Sequence, residues 1–172
     1  MASVVFSLGN WGERLATGWV VLAETESVFL AAASFAARQA PQLIIAPIAG
    51  AITDRYSRGK VMLFTGIYKA IVLLALAAVA ANGLDPLWLI FVILGFSGVG
   101  HSFEIPAVQG MVTGSVPRAV RMNAVAVHST GMRAVGALGA LAAGYAISLL
   151  GVPTTFVVSG AAFALGGFLA LV

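Results

Sequence analysis

The sequence predicts an all-α integral membrane protein with six transmembrane helices. Of its 172 residues, 60% are hydrophobic and only 9% are charged, whereas a soluble domain carries about 25% charged residues. Six apolar segments follow one another, and each is long enough to cross a hydrocarbon core about 30 Å thick. Residues 1–172 are therefore predicted to form a single six-helix transmembrane bundle. The predicted segments are 4–23, 28–52, 61–81, 87–112, 122–150 and 153–172.

The breaks between these segments carry turn residues. Asn82–Pro86 separates the third and fourth segments. Gly151-Val152-Pro153 separates the fifth and sixth, and its proline is well placed for the first turn of a helix. The basic stretch Gly50–Lys60 lies between the second and third segments, which predicts a loop at a membrane surface.

The charges in the connections predict the orientation of the helices. Five Lys and Arg residues fall in two connections, while the other three hold no Lys or Arg and carry three acidic residues between them. Because basic residues concentrate in cytoplasmic loops, the N-terminus is predicted to be cytoplasmic. The basic residues are Arg55, Arg58, Lys60, Arg118 and Arg121, and the acidic ones are Glu24, Glu26 and Asp85.

The composition argues against several other classes of protein. The nine Lys and Arg residues are scattered through an apolar chain, so they form no basic patch and no nucleic-acid partner is expected. The absence of Cys excludes disulfides and Cys-ligated metals, and no cofactor is expected. Because the sixth segment reaches Val172 without a polar residue after it, we expect a truncated N-terminal half of a longer protein. A complete six-helix protein is the alternative.

The stretch Gly50–Lys60 resembles the loop motif of the major facilitator superfamily, Gly-x-Leu-Ala-Asp-Arg-x-Gly-Arg-Lys. In members of that superfamily the motif lies between the second and third helices, where it lies here. The departures are Thr53 for the small residue, Ser57 for the second glycine and Gly59 before the final lysine.

A second series of residues resembles one branch of that superfamily. Residues 103–107 read Phe-Glu-Ile-Pro-Ala and are followed by Val116-Pro117, Asn123-Ala124 and Arg133 with Gly136. This order is similar to the series Phe-Glu-x-Pro-Ala, Val-Pro, Asn-Ala and Arg-x-x-Gly-Pro of the branch that contains the enterobactin exporter and macrolide-efflux-like proteins.

The resemblance implies half of a twelve-helix secondary transporter, built as a bundle of two three-helix repeats. The implied function is export of an amphipathic small molecule, a drug or a siderophore, by alternating access across the bacterial cytoplasmic (inner) membrane. The implied partners are the lipid bilayer, that substrate, and a complementary C-terminal half or a second copy. Proton coupling is left open, because Leu94 stands where many proton-driven relatives carry an arginine.

Ionisable residues inside the apolar segments are the candidates for function. Burying a charge in lipid costs about 2.5–3.5 kcal/mol per residue on insertion scales, so these residues should face the bundle interior or a water-filled cavity. The helical rise places most of them in one layer, where transporters hold substrates and coupling ions. The alternative is that they neutralise one another as structural pairs. The candidates are Glu13, Arg38, Lys69, His101, Glu104 and Arg133.

Glu104 is the first candidate for a proton carrier, because a carboxyl group in a helix bundle can load and release a proton. Arg133 is expected at a comparable depth on the next helix, where it would hold Glu104 ionised. Alternatively, Glu104 helps to shape the helix break before Pro106. His101 lies one helical turn from Glu104 and either relays protons or packs as a hydrogen-bonded residue beside it. A lone His beside one Glu is a poor ligand set, so no metal site is expected.

The loop motif and the fifth segment are given different roles. The resemblance implies a gating role for Gly50, Asp54, Arg55, Arg58 and Lys60, with the acid helping to close the cytoplasmic side against the opposite half. In the fifth segment, small residues recur every four positions and predict close packing of another helix. These small residues are Gly136, Ala140 and Gly144.

Two classes of function are left open. The first is the transporter half described above, and the second is a non-transporting six-helix membrane protein or an inactive fragment. An enzyme is not expected, because the chain has two His, no Cys and no His-x-x-x-His spacing.

Overall fold

The computed structural model describes residues 1–171 and is helical throughout, with no strand in that range. It contains five α-helices and one short 3-10 helix, Arg118–Val120, that leads into the last of them. The α-helices are α1 Ala2–Thr25, α2 Val28–Arg55, α3 Arg58–Ala81, α4 Leu87–Gly114 and α5 Arg121–Leu169. The predicted all-α class is therefore confirmed, although the number of helices differs from six.

Four helical stretches are long and apolar enough to cross a membrane by length and composition. They are Val28–Arg55, Arg58–Ala81, Leu87–Gly114 and Arg118–Leu169. Helix α1 lies outside this set, and its polar residues Asn10, Glu13 and Arg14 reduce its hydropathy. Six separate transmembrane helices are thus not confirmed.

Helix α5 accounts for the difference, because it contains both the fifth and the sixth predicted segments. Gly151 within it has a non-helical backbone, with φ 77° and ψ 170°. Gly139 lies against Trp11 of α1, and Ser159 lies against the adjacent Gly12. A straight helix would place Gly139 and Ser159 about 30 Å apart, so the chain folds back at Gly151 and α5 has two arms.

The loop within the basic stretch Gly50–Lys60 is shorter than the sequence predicts. Helix α2 continues through Gly50 and Asp54 to Arg55, and α3 begins at Arg58, so only Tyr56 and Ser57 lie between the helices. The prediction of a loop over Gly50–Lys60 is wrong for most of its length. The stretch holds no proline, and its backbone groups obtain their hydrogen bonds by continuing the helix.

Close contacts between small residues and neighbouring helices hold the bundle together. Gly66 of α3 lies against the backbone of Gly167 in the second arm of α5. The rings of Phe6 and Phe163 meet edge to face, with centroids 5.4 Å apart, and join that arm to α1. Gly98 of α4 lies against the backbone of α2. Such approaches supply packing where lipid offers no hydrophobic drive to association.

Both the outer surface and much of the core are apolar, and several charged side chains lie inside the bundle. Large apolar side chains cover the outside, such as Leu43 at 86% and Phe64 at 79% exposure, whereas the charged side chains of Glu13 and Lys69 are fully buried. An exposed apolar surface of this kind fits a lipid environment, and the buried charges require partners.

Candidate functional site

Four of the helices contribute side chains to one buried polar network. Helix α1 provides Asn10 and Glu13, α2 provides Arg38, α3 provides Lys69, and α4 provides three side chains one turn apart. The members are Asn10, Glu13, Arg38, Lys69, Ser97, His101 and Glu104, and we refer to them as the polar network.

Glu13 is the most deeply buried acid of the polar network, with no exposed side-chain surface. Its Oε1 accepts a hydrogen bond from Arg38 Nε at 3.0 Å, and its Oε2 lies 3.5 Å from Lys69 Nζ. Ser97 donates a further hydrogen bond to Oε1. The carboxylate of α1 therefore joins α2, α3 and α4.

Glu104 is the second acid and lies at the edge of the polar network. Its Oε2 is 3.4 Å from Lys69 Nζ and 3.3 Å from His101 Nδ1. Lys69 thus lies between the two acids, and its ammonium group also lies 3.8 Å from the centroid of the Phe163 ring. Aromatic faces attract cations, so Lys69 has partners on three sides.

Asn10 connects the two halves of the polar network. Its Oδ1 accepts hydrogen bonds from Arg38 Nη2 at 2.7 Å and from Lys69 Nζ at 2.8 Å, and its Nδ2 donates to Glu104 Oε1 at 2.7 Å. One neutral amide therefore contacts both cations and one of the acids. Because an amide carries both donors and an acceptor, it can bridge groups of opposite charge.

The polar network is neutral overall, since two carboxylates face two cations. Buried charges are tolerated when they are paired and their hydrogen bonds are satisfied. The direct contacts bring Glu13, Arg38, Lys69 and Glu104 together inside the bundle.

An open cavity of about 390 Å³ lies beside the polar network, between α1, α2, α4 and the first arm of α5. This volume falls in the range of small-molecule sites, about 300–1,000 Å³. Glu104, His101 and Arg38 reach its surface, so the network borders the cavity directly. Other polar side chains on its wall include Asn10, Arg14, Gln39, Gln109 and His128.

Arg133 lies apart from the polar network. Its side chain is exposed on α5, and within residues 1–171 no ion pair joins it to Glu104. The expectation that Arg133 pairs with Glu104 is therefore wrong, because Lys69 of α3 occupies that position instead. A role for Arg133 in a substrate pathway stays a prediction.

The gating residues lie at the ends of α2 and α3. Arg58 donates a hydrogen bond to the carbonyl oxygen of Gly110 and so joins α3 to α4. Asp54, Arg55 and Lys60 are exposed and make no ion pair within the described range 1–171. Gly50 has open space beside it. The gating role of these residues stays a prediction.

The small residues of α5 pack in a different register from the predicted one. Gly136 lies against the Trp11 ring of α1, and so does Gly139 three residues later. Gly144 has open space beside it, and its neighbour Ala143 is the buried residue. The prediction holds for Gly136 but not for Gly144, because the contact face follows steps of three as well as four residues. Ala140 is half-buried.

Sequence reasoning did not single out Asn10, Ser97 or His128 as site residues. The signal for Asn10 was present, since it precedes Glu13 by three residues and shares its helical face. Ser97 precedes His101 by four residues and so shares its helical face. No comparable signal marks His128, because its position on the cavity wall depends on how α5 docks.

Comparison with known proteins identifies the family. Residues 1–170 match the family described as "Transmembrane secretion effector". The chain belongs to the major facilitator superfamily. It corresponds to an N-terminal half of a superfamily member, and the resemblance seen in the loop motif is confirmed. Members of the superfamily are transporters, which makes this chain part of a multi-pass membrane protein.

Two relatives within the superfamily are similar along most of the chain. The Staphyloferrin A transporter of Staphylococcus aureus (strain NCTC 8325 / PS 47) is 27% identical over 158 residues, which are 90% of this chain and 39% of the relative. The uncharacterized MFS-type transporter YfiS of Bacillus subtilis (strain 168) is 25% identical over 166 residues, which are 94% of this chain and 38% of the relative. The chain therefore spans about two fifths of their length. No solved structure gives a significant match.

Proposed function

We propose that this chain forms the N-terminal six-helix half of a secondary transporter that exports an amphipathic small molecule, a drug or a siderophore, by alternating access. The observation that carries the proposal is the neutral polar network beside an open cavity. Charges in a membrane bundle are costly and mark substrate and ion pathways. A cavity at their side supplies the space for a substrate.

The arrangement supports a transporter rather than an enzyme. Substrate and coupling-ion sites of secondary transporters lie near the bilayer midplane, at the interface between repeats. The cavity opens on one side of the bundle, where a complementary half or a second copy would form its other wall. The two arms of α5 supply the fifth and sixth transmembrane helices of the proposed bundle. The relative that transports staphyloferrin A favours a siderophore as the cargo.

We propose the bacterial cytoplasmic membrane as the location, with the N-terminus in the cytoplasm. Single cysteines at Ser57 and Arg118 are then expected to react with a membrane-impermeant maleimide only from the cytoplasmic side, and one at Asp85 only from outside. All three residues are exposed, and the chain contains no native Cys. Labelling is measured in intact cells and in inside-out vesicles. Labelling of the Ser57 cysteine in intact cells would refute this orientation.

We propose further that Glu104 carries protons during antiport, because it borders the cavity and contacts both His101 and Lys69. Glu104→Gln keeps the shape of the side chain and removes its titratable proton. In a protein that contains this chain and its complementary half, the variant is expected to lose pH-driven export while it retains substrate binding. Export is measured as accumulation of a fluorescent drug or an iron-free siderophore in inside-out vesicles.

The control variant is Glu24→Gln, which removes an exposed acid near the end of α1 and is expected to leave export unchanged. If Glu104 has only a structural role, thermal stability should fall before transport is affected. Wild-type export and stability in Glu104→Gln would discard both roles and make Glu13 the next acid to test. If vesicles that also contain the complementary half accumulate neither the fluorescent drug nor the siderophore, the result would favour a non-transporting membrane protein.

A further inference from the structure

The geometry points to an amphipathic organic anion as the ligand of the cavity, with its acidic group bound by Arg14. This inference rests on the proposed function, since it names the substrate class of the same site. Arg14 lies on α1 and its side chain is exposed to the cavity.

Arg14 carries a charge that no described carboxylate, in residues 1–171, neutralises. Within residues 1–171 no carboxylate lies within ion-pair distance of its guanidinium group. The chain has six acidic residues. Glu13 pairs with Arg38, and Glu104 pairs with Lys69. The other four acidic residues lie at helix ends or in connections: Glu24, Glu26, Asp54 and Asp85. The cavity therefore has one uncompensated cation on its wall.

Two aromatic rings hold the guanidinium group of Arg14 in place. Its Cζ lies 5.4 Å from the centroid of the Trp11 ring and 5.9 Å from that of Phe35. Trp11 is itself fixed by its contacts with Gly136 on α5. An arginine that stacks on aromatic rings keeps its donors free, and its planar fork matches the geometry of a carboxylate. Arg14 is thus preorganised for an anion.

The surroundings of Arg14 match an amphipathic molecule rather than a small polar ion. Arg14 lies on the wall of the polar cavity and also on that of a second cavity of about 390 Å³. The second cavity is mainly apolar, and its walls include Leu15, Trp19, Phe35 and Ile147. A ligand with its acidic group at Arg14 would place hydrogen-bonding groups in the first cavity and its apolar body in the second.

The other polar groups of the first cavity favour the same class of ligand. Gln39, Gln109 and His128 are neutral or protonatable side chains that can donate hydrogen bonds to oxygen atoms. The single acid on this wall, Glu104, is engaged by Lys69 and His101. A cationic ligand would meet the unpaired Arg14 and no free carboxylate.

A pair of matched probes tests this inference on the chain itself in lipid nanodiscs. 4-Iodobenzoate and 4-iodobenzamide differ in charge but hardly in shape, and iodine quenches tryptophan fluorescence on contact. Replacing Trp19 and Trp88 by Phe leaves Trp11 as the reporter beside Arg14. The benzoate is expected to bind about tenfold more tightly than the amide, as a hydrogen bond to a charged group allows.

Arg14→Gln is expected to abolish the preference, so that both probes bind like the amide. Because Arg14 forms no ion pair with any residue in the range 1–171, this variant should keep its fold, which its thermal unfolding checks. Arg121→Gln is the matched control, since it removes an exposed cation at the start of α5 that lines neither cavity, and it should retain the preference. Equal binding of the two probes to the parent, or a preference that persists in Arg14→Gln, would overturn the inference.

The outcome is separable from that of the proposed function. Preferential binding of the benzoate without export in the vesicle assay would leave the anion site standing and remove the transport role. Export of neutral drugs together with equal binding of the two probes would leave the transport role standing and remove the anion site.

Discussion

Replacing Lys69 by Met is expected to lower the free energy of unfolding by about 3–5 kcal/mol, the usual cost of removing one partner from a buried ion pair. Lys69 has no exposed side-chain surface and lies within 3.5 Å of both Glu13 and Glu104. Its loss leaves two acids facing a single cation, Arg38. Thermal unfolding in detergent, followed by circular dichroism, measures the effect.

A double variant separates charge from packing at this position. Lys69→Met combined with Glu104→Gln restores neutrality, because Glu13 then keeps Arg38 as its partner. This variant should recover much of the lost stability. Lys60→Met removes an exposed cation from the same helix and should change stability little. A double variant no more stable than Lys69→Met alone would contradict the charge argument.

Adding a methyl group at Gly98 should separate α2 from α4. A Cβ atom there would lie 3.0 Å from the carbonyl carbon of Arg38 and 3.3 Å from Pro41 Cδ. Gly98→Ala is expected to destabilise the protein by about 1–3 kcal/mol, the range for overpacked cores. This loss exceeds the gain of about 1 kcal/mol that alanine brings in a helix. The same unfolding measurement applies.

The control for Gly98 lies one turn away on the same helix. Gly95 has open space beside it, so Gly95→Ala should leave stability unchanged or raise it by its helix propensity. Equal effects of the two substitutions on stability would contradict the prediction, because they would show that the close contact of Gly98 with the backbone of Arg38 does not determine the stability. Because Arg38 belongs to the polar network, Gly98→Ala should also disturb the position of its guanidinium group.

The sequence was sufficient to predict four buried charges, but not how they pair, and it wrongly placed Arg133 inside the bundle. Long apolar segments fix the helices, and the cost of charge in lipid turns Glu13, Arg38, Lys69 and Glu104 inward. Partner choice depends on how helices neighbour one another in the bundle. Arg133 was paired with Glu104 because α4 and α5 follow each other in the chain, whereas α3 supplies the actual partner.

Element ends were predicted less well than element positions. The motif around Asp54 resembles a loop in sequence, yet α2 continues to Arg55, because polar residues are compatible with a helix once it leaves the hydrocarbon. The break at Gly151 was predicted from its Gly-Val-Pro sequence and is seen as a non-helical glycine. The register of Gly136 and Gly139 on Trp11 depends on docking and could not be predicted from spacing alone.

The order of charges along the chain has a consequence for biogenesis. Glu13 on α1 pairs with Arg38 on α2, and Lys69 on α3 pairs with Glu104 on α4, so each pair lies within one helical hairpin. If the chain enters the bilayer as hairpins, these four charges are paired at insertion and avoid the cost of about 2.5–3.5 kcal/mol each for a lone charge in lipid. The contact of Lys69 with Glu13 would then join the two hairpins. The pairing within the polar network therefore favours insertion of the first four helices as two hairpins.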